Sequence, residues 1–163
     1  MLTRIAGKAA FRHLQASQLI KDELARISAL HASSEELRTG EVLSNQQLLV
    51  SAFRREIATD TGCIVIDGHS IIDTPNGLLT VPPETFALLG VTYVIVLQDA
   101  AIRMAERRRA DTLRVRPQRS SQQLAEHQAR SLEAAVAIGL HLKCPVTVLT
   151  PDNDAELISI LAR

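Results

Sequence analysis

The sequence predicts an α/β fold on a doubly wound parallel sheet, three layers deep, and three observations predict it. Three short runs, 63–66, 92–97 and 146–149, are almost continuously apolar and mostly β-branched, as strands buried between two helix layers are. Segments with apolar residues at helical spacing alternate with them, the pattern of parallel βαβ units. The first run ends directly in Asp67-Gly68-His69, and open α/β sheets collect ligands at the carboxyl ends of their strands. Asp67-Gly68 also reads as a plain turn closing a strand.

Composition narrows the function. At 163 residues the chain reads as one domain, large enough to bury a core without staples. With three Phe, one Tyr and no Trp it lacks the stacking platforms of single-strand nucleic-acid binders. A net charge of zero supplies no global pull toward nucleic acid or an anionic membrane. No apolar run approaches a membrane span and no signal peptide is visible. Cys63 and Cys144 suit neither a disulfide framework nor a zinc site and read as small hydrophobes. The expected compartment is the cytoplasm, with no nucleic-acid and no membrane partner.

Taken in order, Leu2, Ile5, Ala6 and Ala9 or Ala10 share one helical face, and 11–14 reads as a short strand. Ser17 is the expected N-cap of a helix to about 28, whose apolar face is Leu19, Ile20, Leu24 and Ile27. Residues 31–44 are loop-like, with one helical turn at 34–37. Asn45 is the expected cap of a helix carrying Leu48, Leu49, Ala52, Phe53 and Ile57. The 63–67 strand is followed by an unusually long loop, 68–83, whose length favours a binding role. A short helix from Pro83 leads to the 92–97 strand, and a helix follows from about 100 to 110. Ser120 or Ser121 caps a long helix to about 142. After the 146–149 strand come the loop 151–154 and a terminal helix from Ala155.

Between Arg103 and Arg119 seven arginines (103, 107, 108, 109, 114, 116 and 119) face two acids, Glu106 and Asp111, a local excess of +5 in a neutral chain. Three readings fit. The residues form a solvated helix face, a nucleic-acid patch, or a polyphosphate clamp. Missing aromatics and zero net charge count against the second. Phosphoryl transfer asks mainly for positioning and charge neutralisation, to which the planar arginine fork is suited.

The chain resembles the adenylate kinase and nucleoside monophosphate kinase group of P-loop proteins, especially the archaeal type of adenylate kinase. Three stretches carry the likeness. Asp67-Gly68-His69 with 73–77 and Pro82-Pro83 is similar to the pattern after the family's third strand. Arg109-Ala110-Asp111-Thr112-Leu113-Arg114-Val115-Arg116, with Ser120, Leu124, His127 and Gln128 downstream, is similar to its lid. Residues 16–21 resemble the start of its monophosphate-binding helix. The resemblance covers roughly residues 11–150 and implies a P-loop NTPase-like fold, with monophosphate-binding helices at 16–60 and a lid at 103–128. It implies transfer of the γ-phosphoryl of ATP to a nucleoside monophosphate, with Mg2+. By matched position, Ser17, Lys21 and His69 would bind substrate, and Asp67 would stand near the metal and phosphates. Arg107, Arg108 or Arg109, with Arg114 and Arg116, would neutralise the transferred phosphoryl. The loop Pro151, Asp152, Asn153 would receive the adenine. Arg119 lies outside the pattern and is expected to behave as a solvated control.

One departure shapes the expectation. The family opens with a strand and a Gly-x-x-Gly-x-Gly-Lys-Ser/Thr loop whose N–H groups and lysine cradle phosphates. Gly7-Lys8-Ala9 lacks the upstream glycines and the hydroxyl, and Met1 falls just after where that motif would end. The sheet is therefore expected to miss its first, central strand, leaving unpaired backbone at the gap. Either a shortened or a natural loop-less form fits, with little kinase turnover as it stands. A non-catalytic nucleotide-binding or partner-interaction module is the alternative.

Overall fold

The computed structural model describes residues 1–5, 7–28, 33, 36–39, 42–58, 62–111 and 119–162. In chain order the elements are α1 (Leu2–Ile5), β1 (Arg12–Gln15), α2 (Ala16–Ser28), α3 (Glu36–Thr39), α4 (Val42–Glu56), β2 (Ile64–Asp67), β3 (Ile71–Thr74), β4 (Gly77–Thr80), α5 (Pro83–Leu88), β5 (Val94–Leu97), α6 (Ala101–Ala110), α7 (Ser121–Leu142), β6 (Val146–Leu149) and α8 (Asp154–Leu161). Every predicted strand is present.

β1 pairs parallel with β2 and β5 pairs parallel with β6, each over four residues. Among the described residues no strand joins one pair to the other. The expectation that β2 and β5 are buried on both faces is corrected by this arrangement. Their apolar residues are only half-buried, and Asp67 and Leu97 at their carboxyl ends are exposed. A two-stranded sheet covers one edge of each strand, so continuous apolarity does not guarantee burial. Cys63, read as a core hydrophobe, is likewise exposed, although its carbonyl accepts from the Arg12 N–H at 2.8 Å.

The long loop expected after β2 is largely an antiparallel hairpin, β3–β4, pairing Thr74 with Gly77 around Pro75-Asn76. Gly77 has φ +120°, a conformation that side chains rarely adopt. The Thr74 hydroxyl closes the turn by donating to the Gly77 carbonyl at 2.8 Å. The apolar pairs Ile71-Ile72 and Leu78-Leu79 flanking this turn were the overlooked hairpin signal.

Two expected caps shift. α2 begins at Ala16, directly after β1, which puts Ser17 inside its first turn. α4 begins at Val42, and Asn45 instead donates its side-chain N–H to the Leu37 carbonyl at 3.0 Å. Ser120 caps α7 as expected, in a reciprocal capping box with Gln123.

Burial concentrates in two clusters. One joins Leu14 of β1, Leu19 and Ile20 of α2, Leu49, Val50, Ala52 and Phe53 of α4, and Leu89. The other joins Ile5 of α1, Leu149 of β6 and Leu157 of α8. α7 crosses the molecule and packs on α5, α6, β3, β5 and β6. It approaches β6 tightly at Gly139, where a Cβ would lie 2.2 Å from Val146 Cγ2 and 3.2 Å from the Cys144 carbonyl. Gly139→Ala is expected to destabilise by about 1–3 kcal/mol through overpacking, read as a lower midpoint in denaturant. An unchanged midpoint would mean that β6 yields freely.

Beneath the first cluster lies a carboxylate the sequence did not flag. Glu23 of α2 is 1% exposed. It accepts hydrogen bonds from Arg26 at 2.8 Å, from Ser51 of α4 at 3.2 Å, and from Arg55 of α4. Hydrogen bonding from Arg26 above all, against the cost of burial and with help from Arg55 and Ser51, holds its carboxyl at about 2, below the usual 4.5. This network ties α2 to α4.

Candidate functional site

The carboxyl ends of β1 and β2 lie side by side, with Gln15 opposite Asp67. Asp67 is exposed at this rim, and His13 Nε2 of β1 approaches its Oδ2 to 3.8 Å. Because α2 starts at once, its first residue is pressed to the same spot. A Cβ on Gly68 would sit 3.3 Å from the Ala16 Cβ. The first-turn N–H groups of α2 thus open beside Asp67-Gly68, a local field that favours anions. Ser17 and Lys21 stand one turn apart on α2, spacing that puts them on one face. His69 is exposed in the loop after β2.

The arginine run divides by partner. Arg103 Nε donates to Asp99 Oδ1 at 2.5 Å and Arg107 binds the other carboxylate oxygen. The Asp99 side chain is 6% exposed, and its carboxyl is held at about 2, chiefly by Arg107 against burial, with Arg103 and the Ala100 N–H assisting. Arg119, expected to be solvated, instead forms a two-pronged ion pair with buried Asp73 of β3, 2.7 Å at its shorter contact. Arg108 is half-buried and adds its charge to those around Asp73, whereas Arg109 is exposed. Arg114 and Arg116 lie outside the described residues. The cations of the last turn of α6, Arg107, Arg108 and Arg109, also face the negative end of that helix.

His127 and Gln128, adjacent on α7, serve two different elements. The His127 ring hydrogen-bonds the Ile71 backbone of β3. Burial above all holds its pKa below 6.5, with Arg108 and His69 acting alike and Asp73 opposing. The Gln128 amide accepts from the Asp99 N–H and donates to the Asp99 carbonyl, both at 2.9 Å. That two-way bond fixes the corner between β5 and α6.

At the carboxyl end of β6, the Asn153 side-chain oxygen accepts from the Thr150 N–H at 2.7 Å and hydroxyl at 2.6 Å. Arg4 of α1 binds Asp154 at 2.9 Å and donates to the Pro151 carbonyl. Asp152 is exposed. The loop Pro151 to Asn153 is therefore rigidly held at the strand ends.

Two clefts escaped the sequence reading. One of about 520 Å³ lies between α4 and α5, lined by Gln46, Gln47, Val50, Ser51, Arg54, Pro82, Glu84, Thr85 and Leu88. A polar stripe on α4 (Gln47, Ser51, Arg54) at spacings of four and three was its available signal. The other, about 290 Å³, is lined by His13, Gln15, Gln18, Asp22, Arg55 and Glu56, among others. No group of three or more His, Cys, Asp or Glu among the described residues is arranged to hold a metal ion. No described helix is long and apolar enough to cross a membrane.

Parallel βα units, with Asp67 beside the start of α2 at the β1–β2 strand ends, define an α/β protein of the kind that places ligands at its strand ends. A family model described as an AAA domain matches residues 1–125, and the chain belongs to that family as an adenylate-kinase-like P-loop protein. The chain is similar to the adenylate kinase of Thermococcus kodakarensis, 27% identical over 162 residues, which span 96% of this chain and 82% of that protein. It is also 28% identical over 134 residues to the adenylate kinase of Methanoculleus marisnigri, covering 80% of this chain and 69% of that one. A nucleotide-kinase-like function accompanies this relationship.

Proposed function

We propose that this chain handles a nucleoside monophosphate and ATP with Mg2+ in the manner of an adenylate kinase, transferring the γ-phosphoryl where its phosphate site is complete. The observation that carries the reading is the rim where Asp67 and Gly68 meet the first turn of α2. Anion-favouring N–H groups, the Lys21 ammonium and one carboxylate for the cation belong together in phosphoryl chemistry. Magnesium keeps several waters and takes one or two protein carboxylates plus substrate phosphates, so the single Asp67 fits it. Arg108 and Arg109 would supply charge neutralisation, with Arg114 and Arg116 joining them by resemblance. Pro151, Asp152 and Asn153 would border the base of ATP. The cleft between α4 and α5 has the size of a small-molecule site and would accept the nucleoside of the monophosphate.

Calorimetric titration with ATP, with and without Mg2+, then with AMP, tests binding, and ADP formation tests transfer. Turnover at roughly 1–100 per second supports the kinase. Binding without turnover supports a non-catalytic nucleotide-binding module, a reading favoured because these 163 residues contain no Gly-x-x-Gly-x-Gly-Lys-Ser/Thr sequence. No binding of either nucleotide rejects both.

Asp67→Asn separates site from turn. Asp67 is exposed and the His13 ring lies 3.8 Å from it, so the melting temperature should hardly move, whereas the Mg2+ dependence of ATP binding should disappear. Lost stability with Mg2+-dependent binding intact would make Asp67 a turn residue.

A further inference from the structure

Ser51, which lines the cleft between α4 and α5, has a fixed hydrogen-bond polarity. Its hydroxyl donates to Glu23 Oε1 at 3.2 Å. Glu23, bound by Arg26 and Arg55, is an ionised carboxylate that can only accept. The Ser51 proton is therefore engaged, and its oxygen offers the cleft lone pairs alone. Across the cleft, Glu84 of α5 is likewise acceptor-only, and Arg54 of α4 is donor-only. Neighbouring Arg55 is committed to Glu23, whereas Arg54 and Glu84 have no ion-pair partner among the described residues. The cleft thus presents two acceptors, one from each helix, and one forked donor. Leu88, one turn after Glu84, is 54% exposed at the same cleft and adds apolar surface that an occupant would cover.

We propose that this cleft selects guanine: Glu84 and Ser51 accept from its N1–H and N2 amine, and Arg54 donates to its O6 and N7. The inference rests on the reading that the cleft takes the nucleoside of a monophosphate, and deepens it by naming the base. Guanine carries two adjacent donors on one edge and two adjacent acceptors on another, the latter being the pair that an arginine fork meets. Adenine and cytosine each offer one exocyclic amine as their donor group, so one of the two acceptors would stay unmatched, at a cost in affinity. Glu23 never meets the ligand. It is a positioning residue that acts by holding the Ser51 hydroxyl.

Calorimetric titration of the full chain with GMP, IMP and AMP reads the preference as a ratio of affinities. IMP differs from GMP only in lacking the N2 amine. GMP should bind roughly tenfold tighter than AMP, within the range of about 5–150-fold that a paired base contact gives, and IMP should fall between them. Glu84→Gln and Arg54→Ala should each bring the GMP to AMP ratio to within about threefold of unity. Ser51→Ala should lower GMP affinity roughly threefold and AMP affinity less. Both charged side chains belong to exposed residues, and a loosened fold or a lost phosphate contact weakens all three ligands alike, leaving the ratio unmoved. AMP binding as tightly as GMP overturns the guanine assignment and leaves the nucleoside reading standing. A GMP preference unchanged by either Glu84→Gln or Arg54→Ala also overturns it. If none of the three monophosphates binds, the nucleoside reading fails and this inference fails with it.

Discussion

Replacing Arg26 and Arg55 together with alanine is expected to cost about 3 kcal/mol of stability, the scale for leaving a buried charge uncompensated. Glu23 is 2% exposed at its side chain, whereas Arg26 and Arg55 are 55% and 45% exposed. Either arginine lost alone leaves the other on the carboxylate, so each single variant should cost only about 1 kcal/mol. The signature is non-additivity. Adding Glu23→Gln to the double variant should recover part of the loss, since the charge that needed a partner is gone. Chemical denaturation across the set decides it, and a double variant equal to the sum of its singles would dissolve the network reading.

Acid behaviour follows the same carboxylate. Its pKa is lowered from 4.5 to about 2, so its stabilisation is fully present above 4.5 and is lost as pH falls through about 2. Without the two arginines, burial outweighs the remaining Ser51 hydrogen bond on Glu23 and favours the protonated form. The sign then inverts, and mild acidification should stabilise the double variant relative to neutral pH.

Arg108→Ala and Arg109→Ala are each expected to weaken MgATP binding by about 1.5–3 kcal/mol, the value of a hydrogen bond to a charged group, or roughly 10–150-fold. Arg103→Ala is the informative comparison. It removes the same charge from the same helix, but Arg103 is committed to Asp99 at 2.5 Å, so affinity should stay within about twofold while stability falls slightly. Calorimetry on the three variants is the check. Equal losses in all three would mean that only the summed field of α6 acts on the nucleotide, with no positioned contact.

β2, β5 and β6 were legible because short, mostly apolar β-branched runs near Gly, Asp or Pro leave little alternative, and α7 because Ser120 and Gln123 form a cap readable from sequence. The hairpin was not, since Pro75-Asn76-Gly77 looks the same in a loop as in a turn and its flanking Ile and Leu pairs are short. Half-burial of β2 and β5 depends on which strands pair, which no local pattern encodes. At the candidate site, the position of Asp67 at a strand end was legible. The fate of each arginine was not: Arg103, Arg107 and Arg119 differ from Arg109 only in having Asp99 or Asp73 nearby in space. Glu23 was invisible because Glu at a helical position reads as surface until its partners on α4 are known.

The Gln128 amide, which grips both the N–H and the carbonyl of Asp99, has a mechanical consequence. A residue bonded through both backbone groups loses rotation about its flanking dihedrals, so Asp99 behaves as a welded joint, whereas an ordinary strand-to-helix turn behaves as a pivot. That weld ties the start of α6 to α7, so the two helices share one fixed point at Asp99.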